Sequence, residues 1–525
     1  MPPGPEAAAP RLGIDVGGTN TDAVLMRDSE VLAWHKTPTG TDIAAAIVVA
    51  AREVLSEAGV APAQIQAVML GTTQFTNAVI ERRRLNRVAV LRLAAPATTA
   101  VLPMADWPAD LAAAVGQYHF LARGGLEFDG RPIAPLDHAE LARQAREIRQ
   151  LGLDAVAVTS VFAPLDAEME RQAEDILRRE LPDAAITLSH RIGRIGLLER
   201  ENAAILNAAL AGLADRVLAA FARAMADIGL SAPLYISQND GTLMTAGHAA
   251  RYPVLTFASG PTNSMRGAAV LSGETDALVV DIGGTTSDVG LLLEGFPREA
   301  AMTVEVGGVR TNFRMPDLLA VGLGGGSLVR DDGARIGPDS VGFELQRRAL
   351  VFGGDTLTLS DIAAAADLLP LGDRSRVAHL DPALVDRALV TAREMINGAL
   401  DRVRPSAGRL PLLLVGGGAA VIQGELEAAG PAIRPDHAAV ANAIGAAIAM
   451  VGGECDRVFS LDGRDREDAV AEAIADATAR AAAAGAAEDS IRITEIDEIP
   501  LTYLPGNATR LRVKAVGDLG TMAAP

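Results

Sequence analysis

Two short stretches of this chain set acids, glycines and hydroxyls in the same order. Residues 15–22 run D-V-G-G-T-N-T-D and residues 281–288 run D-I-G-G-T-T-S-D, identical at five of the eight positions. A Gly-Gly corner between two strand-like runs reaches positive φ at little steric cost. It also turns successive backbone N–H groups to one side, and such a cluster is an anion-binding nest. Gly17, Gly18, Thr19, Asn20 and Thr21 supply donors in the first copy; Gly283, Gly284, Thr285 and Thr286 supply them in the second. One copy alone is an ordinary hairpin corner, whereas two copies set face to face would hold a polyphosphate from both sides. Asp15 and Asp281 end the strand before each corner. Two acids converging on phosphate are repulsive unless Mg²⁺ lies between, so these two are the candidate metal ligands. Either could also orient or deprotonate an attacking nucleophile. Asp22 and Asp288 are paired in the same way and fit the role of turn-capping carboxylates equally well.

The elements that must position these residues follow from the hydrophobic pattern. Strand-like runs at 11–16, 23–27 and 31–36 form a meander around the first corner, and a helical pattern covers 43–58. Apolar β-rich runs at 65–70, 88–93 and 155–161 alternate with helical stretches, which is the pattern of an α/β fold with a mixed sheet. A long helical segment at 197–228 precedes a strand at 234–237. The second copy begins at Asp281, between strands at 278–282 and 289–293. That separation far exceeds the roughly 20–50-residue period of a solenoid and instead predicts two related domains. A third glycine turn, Gly416, Gly417 and Gly418, follows a strand at 411–415 and would let a flat ring or a ribose approach the backbone. An Ala-rich stretch from 437 to 450, interrupted by Asn442, reads as a packed interior helix. The boundaries expected are a disordered tail over 1–10, a first domain with insertions over 11–230 and a second over 231–455. Within the second, 311–357 is loop-rich, and 456–525 forms a small α+β appendage.

The succession of hairpin, insertion, hairpin, glycine turn and Ala-rich helix resembles the superfamily of sugar kinases, Hsp70 and actin. Within it, the chain resembles the ATP-binding A-type subunit of the hydantoinase/oxoprolinase family. The residues that carry this are 13–22 (G-I-D-V-G-G-T-N-T-D), 71–79 (G-T-T-Q-F-T-N-A-V), 233–243 (P-L-Y-I-S-Q-N-D-G-T-L) and 258–267 (A-S-G-P-T-N-S-M-R-G). They continue with 281–288, 322–327 (G-L-G-G-G-S) and 336–340 (I-G-P-D-S). The likeness runs from about 12 to 452. It implies two actin-like (ribonuclease H-like) α/β domains with a nucleotide cleft between them, binding ATP and Mg²⁺. It also implies ATP-dependent opening of a cyclic amide such as a hydantoin, a lactam or 5-oxoproline through phosphorylation of the carbonyl oxygen. A B-type partner subunit and an oligomeric assembly go with that activity. Related members carboxylate ketones by the same activation. The family usually has His before Gly-Thr-Thr, where this chain has Leu70. Thr72, Thr73 and Asn77 are candidates for the substrate side of the cleft and equally for helix capping. Asn239 and Asp240, in a polar turn after a strand, are candidates for substrate or metal. Residues 259–261 read equally well as a turn before the next helix. A conformational ATPase or a plain small-molecule kinase needs the same hairpins, so both stay open.

Composition narrows the field. Lys and Arg number 47 against 66 Asp and Glu, a net charge of −19. Such a balance argues against a nucleic-acid binder or docking on an anionic membrane. The single cysteine, Cys455, allows neither an internal disulfide nor a multi-cysteine metal site, and a reducing, cytoplasmic setting is expected. The seven histidines show no metal-ligand spacing. No uninterrupted apolar run reaches the ~18 residues of a membrane span.

Overall fold

The computed structural model describes residues 9–40, 42–300, 303–405, 408–502 and 506–520. Most of the expected tail, residues 1–8, lies outside them. Strand β1 (Arg11–Val16) is buried from Leu12 onward, so it occupies a sheet centre. It pairs antiparallel with β2 (Asn20–Arg27), which pairs with β3 (Glu30–Pro38), while β4 (Ala67–Thr72) runs parallel on the other side of β1. The strand Leu234–Ser237 follows β4, again parallel. The helix Ile43–Ala58 covers one face. It starts where the Asp42 carboxylate accepts a hydrogen bond from the Ala45 N–H, and it stops at Gly59 with φ +63°.

The same order recurs in the second half. Phe296–Pro297, Ser287–Leu293, Ala277–Ile282, Leu412–Val415 and Ala432–Ile433 lie side by side. The third-second-first-fourth-fifth order in both sheets is the ribonuclease H-like, actin-like arrangement. The first domain also carries an inserted parallel sheet of Tyr118–Arg123, Val88–Ala95, Ala155–Ser160 and Ala185–Leu188. The buried pair Arg92–Glu201 clamps that sheet to the helix Leu197–Asp227, with Arg92 Nε and Nη2 donating to the two carboxylate oxygens at 2.8 and 2.5 Å. That helix is long and apolar enough to cross a membrane by composition, yet most of its apolar window is buried here. Its inward side belongs to the main core of the first domain.

The sheets do not respect the boundaries drawn from sequence. Leu234–Ser237 and Thr242–Thr245 belong to the first sheet although they follow residue 231. The expected boundary at 455/456 falls inside one strand, Met450–Phe459, which pairs parallel with Thr242–Thr245. Thr509–Gly517 and Arg492–Pro500 then add antiparallel strands, so the C-terminal segment lengthens the first sheet to nine strands. Its helix Arg466–Ala483 buries Ala469, Ala473, Ala477 and Ala481 on that extension. Segment 311–357 holds more regular structure than loop. Leu318–Val321 pairs with the second hairpin strand Ser287–Leu293, and Ser327–Arg330 pairs with Arg335–Ser340.

Candidate functional site

Both glycine corners close with the same backbone hydrogen bond, from Gly17 N–H to Asn20 C=O and from Gly283 N–H to Thr286 C=O, each 3.0 Å. Register places Asp15 opposite Asp22 and Asp281 opposite Asp288. The two corners meet, because a Cβ on Gly284 would lie 2.6 Å from Thr19 Oγ1. Thr21 is buried, with its hydroxyl 3.2 Å from that of Thr39, so it braces the first corner from behind; Thr39 in turn donates to the Gly17 carbonyl. Thr285 and Thr286 are exposed at the second tip. The glycine run at 322–327 lies against this tip, with Gly325 and Gly326 N–H donating to the Gly283 and Gly284 carbonyls at 3.0 and 2.6 Å. The third turn wraps Asp281. Gly418 N–H donates to Ile282 C=O at 2.9 Å, and a Cβ on Gly416, at φ +85°, would fall 2.2 Å from Asp281 Oδ1. Gly417 faces open space. Only a single 3-10 turn, Ala419–Val421, follows it, and the Ala-rich helix is confined to Ala441–Ala447.

The helices Ser259–Ser272 and Ala441–Ala447 cross against β1 with almost no side-chain material between backbones. A Cβ on Gly267 would sit 2.0 Å from Ala441 O, one on Gly445 1.8 Å from Asn263 O, and one on Gly13 2.2 Å from Ala443 O. This close approach delivers Asn442, whose amide donates to Asp15 Oδ2 at 3.0 Å and to Asp22 Oδ2 at 2.9 Å. Lys36 Nζ reaches Asp22 Oδ1 at 2.5 Å. Asp15 Oδ1 has no hydrogen-bond partner among the described residues. Burial, then the neighbouring Asp22 charge, push the Asp15 carboxyl up to about 7 against the pull of Asn442. Burial also raises Asp281, offset in part by a hydrogen bond from the Ser264 hydroxyl. Asp288 is pushed up to about 7 by burial and by the charge of Asp281. Asn442, Lys36 and Ser264 were not singled out from the sequence; the one available signal was a lone amide in an apolar, Ala-rich run.

Of the other candidates, Thr72 is buried at the end of β4, where its hydroxyl accepts from Gln74 N–H at 3.3 Å. Thr73 donates twice to the Val16 carbonyl, from N–H and hydroxyl, so it lies beside the first corner. The Asn77 amide contacts the Thr73 hydroxyl one turn further on, at 3.4 Å. Leu70 is fully buried in β4 as a core residue. Asn239 and Asp240 go elsewhere. They line a cavity of about 1040 Å³ bounded by the inserted domain, the turn at 238–242 and the C-terminal strands. There the Asn239 amide donates to the Arg314 carbonyl. Burial works to raise the Asp240 carboxyl, but Lys514 Nζ at 2.7 Å and the Thr242 hydroxyl hold it down at about 2. Among the described residues, no group of three or more His, Cys, Asp or Glu side chains could hold a metal by itself.

Comparison with known proteins agrees with this geometry. Residues 11–181 match the hydantoinase/oxoprolinase N-terminal region, and residues 200–403 match hydantoinase/oxoprolinase. The chain belongs to the hydantoinase/oxoprolinase family. Within that family it is 26% identical over 361 residues to caprolactamase subunit alpha of Pseudomonas jessenii, a match covering 63% of this chain and 51% of that protein. It is 25% identical over 253 residues to the acetophenone carboxylase gamma subunit of Aromatoleum aromaticum, covering 46% and 34% respectively. The chain thus spans about half or less of the curated relatives it matches. Two solved structures share the fold across 98% of the chain. They are the ATP-dependent caprolactamase of P. jessenii (TM-score 0.74, 19% identity, 88% of that chain) and a nucleotide-free acetone carboxylase (TM-score 0.68, 18% identity, 89% of that chain).

Proposed function

We propose that this family member is the ATP-consuming subunit of an enzyme that opens a cyclic amide, activating the amide by phosphorylating its carbonyl oxygen. The observation that carries this reading is the meeting of two like glycine hairpins, each with a carboxylate at its root. Backbone N–H groups of the two corners bind the phosphates, and the open side of the third turn, at Gly417, receives the adenosine. Mg²⁺ is usually held by one or two carboxylates together with substrate phosphates and water. Asp15 and Asp281 fit that role, since both sit in a surplus of negative charge that a cation would relieve. Once bound, Mg²⁺ neutralises charge on the transferred phosphoryl group.

In the step itself, the amide oxygen forms a bond to the γ-phosphorus as the bond from that phosphorus to the bridging oxygen breaks. ADP departs, and the amide nitrogen loses its proton to solvent or a base, leaving an imidoyl phosphate whose nitrogen is uncharged and whose phosphate is anionic. An unstrained amide resists water, whereas the imidoyl carbon is an electrophile: water adds to it, the ring C–N bond breaks as the nitrogen takes up a proton, and the acyl phosphate left behind is hydrolysed to a carboxylic acid and free phosphate. Closure of the two domains keeps bulk water from the phosphoryl group until transfer is complete. Hydrolysis then takes place with a B-type partner subunit in an oligomer, a reading supported by relatives that are themselves named as subunits. The net charge of −19 and the single cysteine support a cytoplasmic setting without nucleic acid or membrane partners. A second reading, ketone carboxylation by the same activation, is favoured by the likeness to the carboxylase subunits.

The test is ADP release from Mg-ATP, with and without hydantoins, lactams and 5-oxoproline, by the chain alone and with a candidate partner. Stimulation by one cyclic amide is the expected result. Measurable ATP binding with a response to no cyclic amide, partner present, would overturn it.

A further inference from the structure

The start of the helix Ser259–Ser272 carries a feature that phosphate binding does not use. Ala258, just before it, adopts φ +59°, a left-handed conformation that a residue with a Cβ rarely takes. That conformation aims the first turn at Asp15. A Cβ on Gly260 would lie 3.9 Å from both Asp15 carboxylate oxygens and 3.7 Å from Thr73 Cγ2. On the next turn, Asn263 reaches the same place. A Cβ on Gly71 would meet Asp15 Oδ1 at 2.3 Å and Asn263 Nδ2 at 2.7 Å.

Beside Asp15, two polar atoms of this helix are buried and lack a hydrogen-bond partner among the described residues: Ser259 Oγ and Asn263 Oδ1. Ser259 is 1% exposed and Asn263 0%. Buried polar groups are nearly always paired, so two orphans four residues apart on one helix mark where a ligand's polar groups belong. Their chemistry is complementary. The Asn263 amide nitrogen already donates to Ser237 Oγ at 3.1 Å, which leaves its oxygen as an acceptor. The Ser259 hydroxyl has its proton free to donate.

We propose that Ser259 and Asn263 are the specificity-determining residues for an amide locked in the cis form by its ring. This deepens, and rests on, the cyclic-amide reading above. In a small lactam or hydantoin, C=O and N–H lie on the same edge, so a donor and an acceptor side by side satisfy both at once. The Ser259 hydroxyl donates to one lone pair of the carbonyl oxygen, and the other lone pair faces the phosphoryl group. Asn263 Oδ1 accepts from the ring N–H. A ketone has no N–H and would leave Asn263 Oδ1 buried and unpaired, so this corner selects amides over the ketones of the carboxylase reading. A site built to hydrogen-bond a substrate N–H discriminates strongly against analogues lacking it.

The experiment compares wild-type protein, with its partner present, on ε-caprolactam, N-methylcaprolactam and cycloheptanone, reading substrate-stimulated ADP release. The expected result is a kcat/KM at least about tenfold lower for the N-methyl lactam and for the ketone. Ser259→Ala should raise the KM for the unmethylated lactam about tenfold while leaving the KM for ATP in place, a split that general misfolding would not produce. Equal activity on lactam and N-methyl lactam, or on lactam and ketone, overturns this inference and leaves the cyclic-amide reading standing. An unchanged lactam KM in Ser259→Ala does the same. Failure of every cyclic amide to stimulate ADP release overturns both.

Discussion

The two hairpins are near copies in sequence, yet the molecule treats their acids differently. In the first, Asp22 is tied to Lys36, and a single amide, Asn442, bridges it to Asp15. In the second, Asp281 receives the Ser264 hydroxyl, while Asp288 is held up to about 7 by burial and by Asp281. Equal motifs therefore become unequal sites through what the neighbouring elements bring. The bridged pair shares the Asn442 amide, yet burial and the charge of Asp22 still push Asp15 up to about 7. The second pair has no bridging amide: the Ser264 hydroxyl and the charge of Lys36 ease Asp281, while burial and the charge of Asp281 hold Asp288 up. The same loop chemistry thus meets different partners once tertiary neighbours differ.

The largest expected effect comes from removing the charge that the second hairpin offers to the cation. Asp281→Asn should lower ATP turnover by about 10²-fold or more, measured as ADP release at saturating Mg-ATP. Full turnover in this variant would sink the phosphate-site assignment. Breaking the bridge in the first hairpin comes next. Asn442→Leu leaves two buried carboxylates without their shared donor and should cost about 1–3 kcal/mol in urea unfolding. Because Asn442 lowers the Asp15 carboxyl, its loss should also move the acid limb of the pH–rate profile upward. An unmoved limb would show that Asp15 does not set it.

Lys36→Met should be milder, about 1–2 kcal/mol, since Lys36 is partly open to solvent while Asp22 is not. The smallest effect is a pH-dependent difference at the second hairpin. Asp288 in the folded protein titrates near 7, raised from 3.8. Between those values the folded state holds a proton that the unfolded chain has released, so this group's contribution to stability falls as pH rises through that window. Asp288→Asn removes that loss. Its stability relative to wild type should therefore be greater at pH 8 than at pH 5, in metal-free thermal melts. A pH-independent difference would show that Asp288 is not under charge strain.

Much of the frame was legible in the sequence, because it depends on local rules. Asp-x-Gly-Gly-Thr between apolar runs dictates a hairpin wherever it occurs, and two such hairpins far apart require two related sheets. Asn442 was legible only as a break in an apolar run, since nothing local says that its amide will meet two acids more than 400 residues earlier in the chain. Ser259 and Asn263 read as a turn and a helix start for the same reason. Asn239 and Asp240, in a polar turn after a strand, were candidates for substrate or metal. Their side chains were instead claimed by the Arg314 carbonyl and by Lys514, the latter on a C-terminal strand that sequence had placed in a separate appendage.

What the sequence determined by itself is the pair of glycine corners, the acids at their roots and the strands flanking each, with the ribonuclease H-like fold implied by the family resemblance. Backbone conformation and strand burial are set by residues a few positions apart. What only the tertiary structure decided is which partner each acid keeps. That depends on Gly13, Gly267 and Gly445, which let two helices approach β1 closely enough to bring Asn442 within hydrogen-bonding distance of Asp15 and Asp22. Hydrogen bonds act over about 3 Å, so only the folded packing of distant segments could choose them.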